Sequence, residues 1–95
     1  MAKFESKGDK LFIDGKEVLK GWESFTGWYW FAIEKIEDDG YMGKPTWYGF
    51  VQGLEEEWGN FSEGELDEIG KYKVWEIPKK NLAWSGRRKL KDAGI

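Results

Sequence analysis

Three carboxylates in this chain are the candidates for acid–base chemistry: Glu34, Glu55 and Glu57. Glu34 lies late in the aromatic run Trp28-Tyr29-Trp30-Phe31-Ala32-Ile33-Glu34, and Glu55 and Glu57 follow the aromatic run at 47–50. A carboxyl held against indoles loses hydration, which raises its pKa and suits it to general-acid work. Glu55 and Glu57 are two apart, so an extended backbone puts them on one face. Paired carboxylates among aromatic rings also serve glycoside hydrolysis. Against this, 95 residues leave little room for a substrate cleft as well as a core. The bland alternative is that Glu34 and Glu55 accept backbone or indole N–H bonds within a rigid fold.

The residue inventory removes most other chemistry. There is no His and no Cys. Ser-His and Cys-His nucleophilic systems, zinc sites and CxxC redox pairs therefore cannot be built. Asp38-Asp39-Gly40 lacks the further ligands of a calcium loop. The expectation is no metal, no cofactor and no enzymatic activity. What the chain has in excess is flat contact surface: seven Trp, four Tyr and six Phe. Core packing is the first reading for any single Trp. For the set, at least two are expected to stand exposed, where indoles serve protein contact, sugar stacking or base stacking.

Length and composition describe one domain, charged at 35% and without a disulfide. The first residues lack an apolar leader, and no run approaches the roughly 18 apolar residues of a membrane span. A cytoplasmic protein is expected, with no membrane partner. Lys and Glu dominate the charges while Asn and Gln are scarce, a thermophile-like composition. Charge is uneven along the chain. Residues 54–68 carry seven acids and no base, whereas 71–91 carry eight bases against Glu76. Either the two segments are neutralised by each other and by solvent, or the basic tail is an arm for nucleic acid.

The elements that must position these groups are legible in outline. Residues 1–8 are expected to fray, and 79–95 form a basic C-terminal tail. Asp14-Gly15 between apolar pairs signals a type I′ hairpin with strands near 10–13 and 16–22. Residues 23–26 connect to a long strand over 27–36. Its alternation puts Trp28, Trp30, Ala32 and Ile36 on one face and Tyr29, Phe31 and Ile33 on the other. A strand over 46–54 pairs with it antiparallel, with Tyr48, Phe50 and Leu54 on one face and Trp47 and Val51 on the other. Ser62-Glu63-Gly64-Glu65 is a capping box opening a short helix near 63–69, with Phe61 and Leu66 as its staple and Gly70 as its stop. A last strand spans 72–77. The fold class is α+β: an antiparallel sheet of four to five strands with one short helix.

The strand Trp28-Tyr29-Trp30-Phe31-Ala32-Ile33-Glu34 resembles a W-x-W-Y-x-x-E pattern, with Phe31 in place of Tyr. The stretch from Tyr48 to Ser62 resembles F-G-x-V-x-G-x-E-x-E-x-G-x-F-S, and Glu65-Leu66 matches the E-L that follows it. Both patterns are those of the uncharacterised domain-of-unknown-function family 2958, found mostly in bacteria and on plasmids, phages and integrated elements. The likeness covers residues 22–80. The N-terminal hairpin and the tail from Trp84 depart from the pattern. The resemblance implies a small α+β domain of a mobile genetic element and transfers no activity.

These observations favour a non-enzymatic interaction protein that binds a host protein, such as a defence or nucleic-acid-processing factor. The expected contact residues are Trp28, Trp30, Trp47, Tyr48, Glu55, Glu56, Glu57 and Trp58. An acidic, aromatic surface can occupy a site meant for nucleic acid. The alternatives are nucleic-acid binding through Trp84, Arg87, Arg88, Lys89 and Lys91, and small-ligand or sugar binding on an aromatic platform. No RRM, KH, zinc-finger or helix-turn-helix signature supports the former. A homodimer is a further route to covering exposed aromatic strands.

Overall fold

The structure is a computed structural model and describes residues 2–83. Among these residues, eight strands, β1 (Phe4–Lys7), β2 (Lys10–Ile13), β3 (Lys16–Glu17), β4 (Lys20–Ser24), β5 (Tyr29–Glu37), β6 (Thr46–Gln52), β7 (Glu56–Ser62) and β8 (Val74–Glu76), accompany the helix α1 (Glu63–Ile69). A three-stranded sheet has the order β1-β2-β3, and a five-stranded sheet has the order β7-β6-β5-β4-β8. Every pairing is antiparallel. The α+β class with one short helix holds, with a second, smaller sheet added to the expected one.

The Asp14-Gly15 hairpin forms as its sequence demands. Asp14 and Gly15 both adopt positive φ, at 52° and 80°. Such a turn matches the right-handed twist of the flanking strands. Two expectations at the N-terminus are corrected. Residues 4–7 do not fray: they pair with β2 from Phe4↔Ile13 to Lys7↔Lys10, and Phe4 is buried. The expected single strand over 16–22 divides at Val18-Leu19. Its first part stays in the small sheet and its second, β4, joins the large one. Burial explains the division, because Val18 is driven into the core between the sheets.

The large sheet is covered on both faces. On one, Phe4, Leu11 and Ile13 of the small sheet, with Val18 just after it, pack with Tyr29, Phe31, Phe50, Ile77 and Leu82. On the other, Leu66 of α1 packs with Trp22, Ala32, Trp47 and Val74, and Trp30 and Phe61 lie against them. Helix α1 is capped as expected. The Ser62 hydroxyl accepts from the Glu65 N–H at 3.2 Å, and Gly70 ends the helix with φ 103°.

Two register shifts in β5, between Ala32 and Glu34 and between Lys35 and Glu37, break the expected alternation. Each inserts an unpaired residue, so a parity count drifts beyond Ala32. Ile36 thereby leaves the face of Trp28 and Trp30 and stands exposed. The acidic stretch after Gly53 also differs from expectation. A tight turn, closed by the Gly53 N–H donating to the Glu55 carbonyl at 3.1 Å, returns the chain as β7, paired with β6 along its whole length. Leu54 sits in that turn, 93% exposed, and not on the strand face with Phe50.

Candidate functional site

The helix-side face holds the larger aromatic surface. Trp28 and Trp30 are two apart before the first bulge, so both project to this face. Their rings stack at 5.9 Å with 30° between planes. The preceding turn is pinned from within and from outside. The Ser24 hydroxyl accepts the Trp28 N–H at 3.1 Å and bonds the Thr26 hydroxyl at 2.7 Å. The Phe25 N–H donates to the Lys73 carbonyl at 3.0 Å, tying this turn to the one before β8. Between the two turns and the end of α1 lies a groove of about 200 Å³ walled by Phe25, Trp28, Trp30, Ile69 and Val74.

Its floor depends on glycine. A Cβ at Gly53 would lie 2.4–2.5 Å from three atoms of the Trp28 ring. The ring therefore rests directly on the backbone of the β6–β7 turn. Around the groove, Phe25 (67% exposed), Ile69 (50%) and Tyr72 (89%) face solvent. Leu54 projects from the turn next to Gly53. Phe25 and Ile69, large, exposed and lining one groove with two indoles, mark a candidate contact surface. Charge flanks it unequally, with Glu55 and Glu57 on the β6–β7 hairpin and Lys71 and Lys73 on the turn before β8.

Eight residues expected to form one contact surface are distributed over three places. Trp28 and Trp30 line the groove, half-buried. Glu57 is exposed on the same face, paired with Val51, which in turn pairs with Trp30. Glu55 is exposed in the turn. Tyr48, Glu56 and Trp58 belong to the opposite face, beside the small sheet. There Tyr48 stacks on Trp58 at 6.0 Å, and Glu56 accepts the Gln52 amide N–H at 2.7 Å.

Trp47 is not on the surface at all: it is 5% exposed and its indole N–H donates to Glu63 Oε1 at 2.9 Å. The expectation of at least two substantially exposed Trp is corrected likewise. Of the six described, Trp22 and Trp47 are buried and Trp28, Trp30, Trp58 and Trp75 are half-buried.

The carboxylates are reassigned too. Glu34, Glu55 and Glu57 are all exposed, and none sits in the apolar enclosure that a general acid among indoles requires. The indole acceptor is Glu63, the first residue of α1. Lys20 Nζ approaches both its oxygens, at 3.3 and 3.1 Å, and also lies 3.6 Å from Glu76. Neither Glu34 nor Glu55 takes part. A second clamp holds the helix from outside. Tyr41 Oη donates to Glu68 Oε2 at 2.8 Å, and Lys44 Nζ meets Asp67 Oδ2 at 2.7 Å. The hydrogen bond to Glu68 and its charge hold the Tyr41 phenol above its ordinary pKa. The hydrogen bond to Asp67 and its charge do the same for the Lys44 ammonium.

Phe25, Ile69 and Tyr72 were absent from the expected surface. Phe25 had a local signal, since a Phe between Ser and Thr in a connecting turn has no strand face on which to hide. The tail residues Trp84, Arg87, Arg88, Lys89 and Lys91 lie outside the described residues. Among the described residues, no group of three or more acidic side chains is arranged to hold a metal ion, and no helix is long and apolar enough to cross a membrane. Searches against family models, curated proteins and solved structures find no match to this chain.

Proposed function

We propose that this chain is a small, non-enzymatic protein of a mobile genetic element that acts in the cytoplasm by binding a host protein through the Trp28–Trp30 groove. One observation carries the reading. Phe25 and Ile69, both at least half exposed, line a groove with two stacked indoles, on a backbone pinned by hydrogen bonds. Rigid aromatic anchors in a shallow pocket are the usual energetic centre of a protein interface, because little conformational entropy is lost on docking. The mobile-element part rests on the likeness of residues 22–80 to domain-of-unknown-function family 2958.

The test is a paired pull-down from host lysate, with and without nuclease, using the tagged chain and its Phe25→Asp/Ile69→Asp variant. Both substituted side chains are at least half exposed, so the variant is expected to keep the wild-type Tm. The expected result is one stoichiometric protein that comes down with wild type and not with the variant. A partner retained by the folded variant refutes the assigned surface. Capture that disappears with nuclease moves the function to nucleic-acid binding by Trp84, Arg87, Arg88, Lys89 and Lys91.

A further inference from the structure

The opposite face of the large sheet carries a second aromatic corner that the groove reading leaves unused. The small sheet covers Phe31 and Phe50 but thins toward β7. There a cavity of about 310 Å³ is walled by Ala2, Asp14, Phe50, Glu56 and Trp58. Trp58 is braced on two sides, by Tyr48 at 6.0 Å and by Phe50 at 5.1 Å. Lys16, just past the Asp14-Gly15 turn, places its Nζ 4.9 Å from the Trp58 ring centroid.

The polar side chains that wall the cavity are acceptors. Asp14 Oδ1 receives the Lys3 backbone N–H at 2.8 Å, and Glu56 Oε2 receives the Gln52 amide at 2.7 Å. Each carboxylate is thereby oriented through one of its oxygens and stays open to solvent. Behind Glu56, Gln52 is 4% exposed, and its Oε1 has no hydrogen-bond partner. The bond from its Nε2 to Glu56 fixes which end of the amide is which. Gln52 Oε1 is closed to solvent, so the acceptors open to the cavity are the two carboxylates. Two carboxylates and an indole face together suit one class of ligand: a cation with several N–H donors and an alkyl stem.

We propose that this corner receives an alkylammonium group, such as the lysine side chain of a partner, and that Lys16 is its built-in competitor. Lys16 is exposed and hydrated, so its hold on Trp58 is weak enough to exchange. In the absence of a partner it neutralises the corner. A partner ammonium displaces it and gains the carboxylate oxygens as well.

The experiment follows the Trp58 indole N–H resonance, assigned with Trp58→Phe, while the full chain is titrated with n-butylammonium chloride. Sodium chloride at matched ionic strength is the reference. Wild type, Lys16→Met and Glu56→Gln are compared, and resonance dispersion confirms folding. If Lys16→Met fails that check, Lys16→Gln replaces it. A saturable shift specific to butylammonium is expected, with an apparent Kd about fivefold lower without Lys16. Glu56→Gln is expected to weaken binding by about the same factor. The same shift with sodium chloride, or none in the folded Lys16 variant, overturns the proposal. None of these residues lines the Trp28 groove, so the two surfaces stand or fall separately.

Discussion

Glu63 offers the sharpest test of how this fold is held together. Its residue exposure is 8%, and it accepts the buried Trp47 indole N–H while facing the Lys20 ammonium. Glu63→Ala leaves the indole N–H without an acceptor, in a site closed to water. An orphaned buried donor costs about 1–3 kcal/mol, and a hydrogen bond to a charged group is worth about 1.5–3 kcal/mol. The Lys20 side chain is 31% exposed and can turn to water or to Glu76, so its lost ion pair adds at most ~1 kcal/mol. The working figure for Glu63→Ala is therefore about 3 kcal/mol. At roughly 4–8 °C per kcal/mol for a domain of this size, Tm falls by roughly 12–24 °C. Glu63 also lies in the first turn of α1, where the helix dipole favours an acid by ~0.3–1 kcal/mol. Glu65→Ala, an exposed acid in the same turn, reports that part alone. Denaturant unfolding of Glu63→Ala, Trp47→Phe and the double variant closes a cycle whose coupling should be about 1.5–3 kcal/mol. A cycle with no coupling, or a Glu63→Ala cost no larger than that of Glu65→Ala, would refute the assignment of Glu63 as the lock between helix and sheet.

Two further outcomes follow from the outer clamp and from the groove floor. Folding raises the pKa of Tyr41 and of Lys44 above their ordinary values of 10.0 and 10.5. Their contribution is thus whole below those values and is lost as pH climbs through the raised ones. Tm should fall in that alkaline window, and Tyr41→Phe/Lys44→Met should flatten the fall; an unchanged alkaline slope counts against the clamp. Gly53→Ala puts a methyl where the Trp28 ring now rests, so the ring must move. A cost of about 1–3 kcal/mol and a red-shifted indole emission are expected, and wild-type Tm with wild-type emission would show that the ring does not occupy this place.

How much of this was legible in the sequence varies with how local the cause is. The Asp14-Gly15 turn and the Ser62 cap are written in neighbouring residues, and both form as read. The core side of β5 follows from Tyr29 and Phe31 up to the first bulge, beyond which parity fails. Strand β7 was invisible for a physical reason. Glu56-Glu57-Trp58-Gly59-Asn60 is poor in strand-forming residues, and β6 imposes extension on it by pairing. Its charges are those of an edge strand, which must not recruit another chain indiscriminately. Glu63 read as an ordinary first-turn acid because its partners are distant. Trp47 lies sixteen residues away and Lys20 forty-three, and nothing in the 60s segment indicates either.

The aromatic excess and the two candidate surfaces have one origin. A five-stranded sheet with large rings on both faces needs a cover on each. This chain supplies a seven-residue helix to one face and strands of four, four and two residues to the other. Helix α1 closes over Trp22, Ala32 and Trp47, which its buried Leu66 packs against. Trp28 belongs to neither buried cluster, and Trp30 lies at the margin of its own. On the other face the small sheet closes over Phe31 and Phe50 and leaves Trp58 at the edge, where a lysine lies over the ring in place of an apolar cover. Each cover is too short by about one aromatic pair. The half-covered corners are therefore a property of where the covers stop, and the proposed docking of a partner on either would complete a layer that the chain itself leaves unfinished.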